Sequence, residues 1–391
     1  MKKRVSVLGA SGSIGKSTLD ILRNERERFE PVLFSANKNK NELIALKKEF
    51  PHAITALSAD EESDHGGLAA PGIDFFGKQG LLKAIKTAGA DISVNGISGA
   101  AGLEPSAAVL QAGSDLALAN KETVVMAGQL IFALARENNV RIIPVDSEHS
   151  AVFKLIEAHG KEKVSEIILT ASGGPFRNYS YEQLKNVTPE EALSHPTWNM
   201  GPKITVDSAT MANKGLEVIE AAALFGFPPE KIKVTIHPQS IVHSLVRLAN
   251  GAVYAQMSYP DMKMPIHDAL CWPETEKSSY GRLDFDSLHL TFEKYDPEKF
   301  PMLPLAYEAL KGSPYLPIVY NAVNEIAVNA FFKAKIEFPE IPCIVKHVLN
   351  ESIFLDWDIK TIEAVLEIDK KARQLAEDYL TAVHISLAGA S

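Results

Sequence analysis

Val5-Ser6-Val7-Leu8-Gly9-Ala10-Ser11-Gly12-Ser13-Ile14-Gly15-Lys16 is the stretch that decides the fold of this chain. A short apolar strand runs into three glycines spaced G-x-x-G-x-x-G, and a helical pattern follows. Such a turn gathers backbone N–H groups and a helix N-terminus at one point, where a dinucleotide pyrophosphate is held. The spacing departs from the usual G-x-G-x-x-G, so the turn alone also reads as a plain tight strand-to-helix connection. Its place on the first strand of an alternating domain favours the nucleotide.

Outward from that turn, apolar strands at Arg4–Leu8, Val32–Ser35, Ala53–Leu57, Ile92–Asn95, Leu116–Ala119 and Arg141–Val145 alternate with helical patterns such as Lys121–Asn138. This alternation predicts an α/β domain over residues 1–148, a doubly wound, Rossmann-like parallel sheet. From 149 to 271 the pattern becomes α+β. Strands are expected at Ile167–Ala171, Lys233–Ile236, Ile241–Leu248 and Val253–Ser258, mainly antiparallel, with Asn250-Gly251 as a type I′ hairpin turn. Residues 272–301 read as a linker rich in Pro, Glu, Ser and Asp. Helical spacing at Leu305–Lys311, Val319–Lys333, Ile344–Ser352 and Lys360–Ala376 predicts a helical bundle over 302–391.

The 391 residues suit two or three domains, and 46% hydrophobic with 23% charged residues is an ordinary globular composition. Forty basic against 49 acidic residues leave a formal charge of −9, which argues against a nucleic-acid partner. Two cysteines without pairing or zinc-like spacing, Cys271 and Cys343, fit a reducing compartment. The N-terminus offers no targeting segment, and no apolar run approaches the roughly 20 residues that span a bilayer. A cytoplasmic protein is expected.

Cofactor choice is read at the end of the second strand, Ser35-Ala36-Asn37-Lys38-Asn39-Lys40, which has no acid before Glu42. Lysines and amides there suit the 2′-phosphate of NADP rather than the hydroxyls of NAD; a solvated polar loop is the alternative. Val145-Asp146-Ser147-Glu148-His149 closes the last strand of the first domain. If the chain stays extended, Asp146 and Glu148 aim two carboxylates one way, which suits Mg²⁺ or Mn²⁺; a helix N-cap beside a solvated acid explains the pair equally well. On a helix, Asn213, Lys214 and Glu217 share one face, as a simple Lys–Glu pair would. Gly215 between them costs helix propensity and hints at close approach by a ligand or another backbone. Ser172-Gly173-Gly174 reads as a phosphate cradle or an ordinary turn. Trp198, within His195–Gly201, reads as a lid or an anchored loop residue. His149, His237 and His243 read as structural groups.

Several motifs together resemble one family. Asn120-Lys121-Glu122, Val145–His149, Ser172-Gly173-Gly174-Pro175-Phe176-Arg177, His195–Gly201, Val206-Asp207-Ser208-Ala209-Thr210-Met211-Ala212-Asn213-Lys214-Gly215-Leu216-Glu217 and His237-Pro238-Gln239-Ser240 are similar, in order, to the 1-deoxy-D-xylulose 5-phosphate reductoisomerases. The likeness covers essentially the whole chain. The run from Val206 to Glu217 is its most specific part. The resemblance implies rearrangement and NADPH-dependent reduction of that sugar phosphate to 2-C-methyl-D-erythritol 4-phosphate. It implies a divalent metal, Mg²⁺ or Mn²⁺, on Asp146, Glu148 and Glu217, with Lys121, Ser147 and Glu148 at the reacting end of the substrate. It further places Ser172, His195, Ser208, Asn213 and Lys214 on substrate, with Met262 in the pocket and Trp198 in a mobile loop over 192–202. Ser11, Gly12, Ser13, Ile14, Asn37, Lys38, Asn39, Asn120, Glu122 and Gly201 match the NADPH contacts, and a homodimer is expected. Ser11 stands where many members have Thr, and Asn37 where many have Gly. An aspartate-semialdehyde-type dehydrogenase would instead need an activated cysteine, and a phosphate- or NADPH-sensing protein would leave the acids without purpose.

Overall fold

The computed structural model describes residues 1–59, 72–194, 197–198, 200–351 and 357–388. Two compact units emerge. The first comprises Met1–Thr123, Ile131–Ser150 and Asp261–Arg282; the second comprises Val124–Leu130, Ala151–Pro260 and Leu283–Ser391.

In the first unit, β1 (Lys3–Leu8), β2 (Phe29–Ala36), β3 (Ile54–Leu57), β4 (Phe75–Phe76), β5 (Ile92–Asn95), β6 (Asp115–Leu118) and β7 (Ile142–Pro144) form one sheet. Its order is β4-β3-β2-β1-β5-β6-β7, and every pairing is parallel. Val5, Val7, Leu33, Phe34, Ile92, Val94, Leu116 and Ala117 are buried, the near-continuous apolar strands expected of a sheet covered on both faces. Strand order reverses between β1 and β5, the switch point beyond whose carboxyl ends open α/β sheets bind ligands. The expected sheet is present, with the two-residue β4 added at its edge. The helix expected over Lys121–Asn138 spans Lys121–Glu137 and is interrupted at Ala127, whose φ of −139° and ψ of 26° are not helical.

The Asp261–Arg282 segment belongs to this unit and carries the Lys263–Cys271 helix. Lys3 Nζ donates to Leu270 O at 2.8 Å, Lys263 pairs with Asp20 at 3.0 Å, and His267 Nε2 lies 3.0 Å from Glu25.

The second unit holds a four-stranded sheet of β8 (Val164–Ala171), β9 (Ile232–Ile236), β10 (Val242–Leu248) and β11 (Val253–Met257), in the order β11-β10-β8-β9. Only β8 and β9 run parallel. Ile167 and Leu169 of β8, with Ile232, Ile236 and Val246, bury one face against Val218, Ala221 and Phe225 of the Ala212–Phe225 helix and against Leu303. The hairpin turn is not type I′. Gly251 has φ +87°, but Asn250 is not among the positive-φ residues. Gly251 N–H donates to Leu248 O at 2.9 Å and Leu248 N–H to Ala252 O at 2.8 Å. That is a type I turn followed by a left-handed glycine, which also matches the strand twist. Helices Met302–Lys311, Leu316–Phe332, Glu340–Leu349 and Ile362–Ala388 form the expected bundle, with the almost wholly buried Leu316–Phe332 packed against each of the others. The 272–301 stretch carries no regular element beyond an isolated bridge from Glu293 to Ile236.

Candidate functional site

In the first unit the glycine turn leads from β1 into the Ser13–Asn24 helix, whose N-cap is Gly12. No side chain caps that helix, whereas Asn39 and Asn120 cap theirs. First-turn amides are therefore left to an anion, with the positive end of the helix dipole behind them. A Cβ at Gly15 would lie 2.4 Å from Gly9 O, so only glycine lets the helix pack this close to the turn. Ser11, Gly12, Ser13 and Ile14 line this turn. Asn37, Lys38 and Asn39 follow the adjacent strand β2 and are exposed. The two loops are tied where Ala10 N–H donates to Ser35 O at 2.7 Å and Gly9 N–H to Ser35 Oγ at 3.1 Å. Nucleotide candidates 25 residues apart in sequence thus sit at neighbouring strand ends.

Asn120 caps the Lys121–Glu137 helix by accepting from Thr123 N–H at 3.0 Å. Its amide donates to Ile97 O, Gly99 O and Glu122 Oε2 at 2.7, 2.9 and 2.9 Å. This cap places Lys121 on the first turn, where its ammonium meets Asp146 Oδ2 at 2.7 Å. Sequence reasoning missed Asn95, fully buried at the end of β5. It donates to Gly102 O and Ser106 Oγ and accepts from Ile97 N–H at 3.0 Å, pinning the loop that Asn120 also grips. The only local signal was a polar residue closing a strand beside Gly96.

Asp146 and Glu148 do not lie on extended chain. Strand β7 ends at Pro144, and the Ser147–His159 helix follows at once. Glu148 N–H donates to Asp146 Oδ1 at 3.3 Å, so Asp146 caps that helix. Ser147 Oγ donates to Glu148 Oε2. Burial works to raise the Asp146 pKa. The Lys121 ammonium and His149, whose Nδ1 lies 3.3 Å from Oδ1, outweigh it and hold the carboxyl well below the usual range. His149, set aside as structural, is thus a direct neighbour of a candidate metal ligand. Met262, also of this unit, precedes the Lys263–Cys271 helix.

In the second unit, Gly201 starts the Pro202–Thr210 helix, and Met211, at φ +64°, breaks it from Ala212–Phe225. Asn213 Nδ2 donates to Glu217 Oε1 at 2.5 Å, and Lys214 Nζ to Glu217 Oε2. Lys214 and Glu217 are almost completely buried. The close approach at Gly215 is neither ligand nor backbone: an added Cβ would lie 2.6 Å from Tyr320 Oη and 2.8 Å from Ala306 Cβ. Ser172 follows β8, and its Oγ accepts from Gly174 N–H at 3.2 Å. A Cβ at Gly174 would come within 2.7 Å of Ser208 O, so the glycine loop lies directly on the helix that carries Ser208. The structure therefore gathers Ser172 and Ser208 locally, and Asn213, Lys214 and Glu217 on one helix face. The Trp198 ring centre is 6.2 Å from that of His243. His195 lies outside the described residues.

Cys271 does have a neighbour that its sequence context did not reveal, His267 Nε2 at 3.6 Å. Burial nonetheless pushes its thiol up to about 11, which leaves it protonated at neutral pH and unsuited to nucleophilic catalysis.

An uncapped helix at the switch point of a parallel sheet, together with buried ammonium–carboxylate pairs, points to a dinucleotide-binding α/β enzyme. Comparison with known proteins narrows the class. The family profile described as 1-deoxy-D-xylulose 5-phosphate reductoisomerase matches residues 5–128, and the profiles for the family's C-terminal domains match 142–225 and 257–375. The protein of that name from Treponema denticola is 48% identical over 379 residues, 96% of each chain. That from Chlorobaculum tepidum is 46% identical, over 97% of this chain and all of the other. The solved Zymomonas mobilis reductoisomerase in complex with NADPH matches with a TM-score of 0.87 at 39% identity, covering 97% of this chain and 99% of that one. A reductoisomerase complex with NADPH, fosmidomycin and magnesium gives 0.90 at 37% identity, covering 98% and 99%. The chain belongs to the 1-deoxy-D-xylulose 5-phosphate reductoisomerase family.

Proposed function

We propose that this chain rearranges 1-deoxy-D-xylulose 5-phosphate and reduces the product to 2-C-methyl-D-erythritol 4-phosphate, with NADPH and Mg²⁺ or Mn²⁺ as cofactors. Family membership along the whole chain supports the reaction. The observation that carries the site is the pairing of its acids, Asp146 with Lys121 and Glu217 with Lys214 and Asn213. Carboxylates oriented by ammonium partners fit a hard divalent cation.

Asp146, Glu148 and Glu217 would hold the metal. When bound, it supplies Lewis acidity at the substrate's carbonyl and hydroxyl oxygens, and NADPH supplies the hydride. Lys121 adds a fixed positive charge beside those oxygens, and Ser147 and Glu148 orient them. Ser172, Ser208, Asn213 and Lys214, with His195, grip the far end of the substrate, where a phosphate of charge about −1.5 to −2 sits. Fixing that end lets remote binding energy orient the reacting carbons. Trp198, with the loop over 192–202, closes to exclude water, and Met262 lines the pocket. Ser11, Gly12, Ser13, Ile14, Asn37, Lys38, Asn39, Asn120, Glu122 and Gly201 bind NADPH, with Lys38 reading its 2′-phosphate.

A homodimer is part of the same reading. Strand β11 is the outer strand of its sheet, and Val253 and Tyr254 on it are exposed, an edge that proteins generally cover. A cytoplasmic setting is supported by two free cysteines and by the finding that no described helix is long and apolar enough to cross a membrane. The test is spectrophotometric. NADPH consumption should require both 1-deoxy-D-xylulose 5-phosphate and a divalent ion, and should stop with EDTA. Consumption that persists in EDTA, or none with this substrate, would end the proposal.

A further inference from the structure

Asp207 is 1% exposed, yet it lies one residue before Ser208 and four before the break at Met211 that turns the chain into the Asn213–Glu217 face. Burying a carboxylate is costly unless every oxygen is met. One oxygen, Oδ2, is met from the same helix by Lys203 Nζ at 2.8 Å. The other, Oδ1, is met by Asn324 Nδ2 at 2.8 Å, from the core helix Leu316–Phe332, more than a hundred residues away in sequence. Asn324 is completely buried, and its own Oδ1 has no hydrogen-bond partner among the described residues. An amide carbonyl held in the core without a partner is destabilising. Turning the amide over would satisfy nothing, because it would set that oxygen against the carboxylate. The orientation of the amide is thus fixed by Asp207, to which it gives a donor.

The backbone of the same residue is tied to the break itself. Thr210 Oγ1 donates to Asp207 O at 3.2 Å and accepts from Ala212 N–H at 3.2 Å, stitching the two helices across Met211. Tyr320, one turn before Asn324, donates to Met302 O at 3.1 Å and is the side chain that approaches Gly215. One turn of the core helix thus contacts both helices that carry the second unit's substrate candidates. Well-packed apolar residues would hold helices together at no lower stability. What a single charged hydrogen bond adds is a fixed register.

We propose that Asn324 is a positioning residue: through its hydrogen bond to Asp207 it sets where Ser208 and the Asn213–Lys214 turn stand, and so the strength of the grip on the substrate's phosphate. This rests on the proposed substrate role of those residues.

The test is a swap of the pair. Asn324→Asp sets two carboxylates face to face, and Asp207→Asn with Asn324→Asp restores one amide and one carboxylate in the opposite order. For Asn324→Asp, KM for 1-deoxy-D-xylulose 5-phosphate should rise about tenfold or more, the scale of losing one charge-assisted hydrogen bond. The inhibition constant of inorganic phosphate, used as a competitive probe of the grip, should rise with it, while the NADPH dissociation constant stays put. The double variant should recover most of both. Asn324→Ser, which removes the donor but leaves room for water, provides the measurement if Asn324→Asp does not fold, and it should show a smaller rise in the same two constants. Unchanged KM and phosphate inhibition in folded Asn324→Ser, or a double variant no better than Asn324→Asp, would overturn the proposal. A loss of melting temperature with both constants intact would reduce Asn324 to a packing role. An inactive wild-type protein would instead count against the proposed reaction.

Discussion

Gly215→Ala separates two explanations of a glycine in the middle of a helix, because they predict opposite signs. Were the glycine there to admit a ligand, alanine would stabilise the free protein by about 1 kcal/mol through helix propensity alone and would harm only substrate binding. The structure points the other way. The added Cβ would stand 2.6 Å from Tyr320 Oη and 2.8 Å from Ala306 Cβ, distances that real Cβ contacts do not show. Both neighbours are buried, and Tyr320 is anchored through its hydroxyl to Met302 O. Overpacking of this kind costs about 1–3 kcal/mol. Set against the propensity gain, a net loss of about 0–2 kcal/mol remains, or up to roughly 8 °C in melting temperature for a unit of this size.

A second substitution makes the attribution specific. Tyr320→Phe alone removes the extra donor to Met302 O, at about 0.5–1.5 kcal/mol for one neutral hydrogen bond. In the Gly215→Ala background the same change also removes the clashing oxygen. The double variant should therefore be more stable than the sum of the singles by about 1 kcal/mol. Thermal and urea unfolding of the four proteins, followed by circular dichroism, gives the cycle directly. Additivity within roughly 0.5 kcal/mol, or a Gly215→Ala protein more stable than wild type, would refute the steric reasoning.

Lys38→Asp should weaken NADPH by roughly ten- to a hundredfold, the scale of a charge-assisted hydrogen bond to phosphate, and NADH far less; equal losses in fluorescence titrations would remove the 2′-phosphate argument. Glu217→Gln should weaken Mg²⁺ or Mn²⁺ activation by at least the roughly 10–100-fold that loss of a mere supporting partner costs. NADPH binding should persist, and wild-type metal dependence would deny Glu217 a ligand role. His237 supplies a pH effect. Its Nε2 accepts from Ile241 and Val242 N–H at 3.2 and 3.1 Å, and its Nδ1 donates to Thr291 O at 2.8 Å, so the folded state needs the neutral ring. Burial lowers its pKa below the ordinary 6.5 although the Thr291 carbonyl opposes this, so the unfolded chain takes up the proton first. The stabilisation is complete above about pH 6.5 and fades as pH falls through the folded-state value. Wild type should lose more melting temperature between pH 7.5 and 5.5 than His237→Gln does, and parallel losses would show that His237 is not the group responsible.

What the sequence made legible was local. Strands β1 to β3 and β5 to β7 were readable because buried parallel strands are short apolar runs broken by helical spacing, and the glycine turn marked the first of them. The two-residue β4 has no period to detect. The turn at Asn250-Gly251 was located but mistyped, since the dipeptide fits both a type I′ pair and a left-handed glycine after a type I turn. The Asp146–Glu148 pair was found for a reason the structure does not use, because a capping aspartate and the end of a strand look alike one residue at a time. Nothing local reveals that Asp261–Arg282 belongs with the first unit. It shows only in tertiary contacts, such as Lys263 with Asp20 and His267 with Glu25, polar pairs more than 200 residues apart. Asn324 was invisible for the same reason, a polar residue in an apolar helix whose partner is set by tertiary packing.

Two of the candidate acids share a feature that bears on why they are there at all. Lys121 and Asp146 have side chains 5% and 13% exposed, and Lys214 and Glu217 are 4% and 1% exposed. Ion pairs so deeply placed contribute little net stability, because desolvation takes back most of the attraction, and apolar replacements of similar volume are often neutral or better. Their value lies elsewhere. An ammonium held beside a carboxylate keeps it aimed before any ligand arrives, so less reorganisation is needed when charge is brought in. For the same reason the single charge deletion in Glu217→Gln carries two effects. It removes a donor oxygen's charge and strands the Lys214 ammonium in the interior, so its cost in stability should not be read as the energy of a useful bond. Activity and stability must be measured separately at this position, and only the metal dependence speaks to the chemistry.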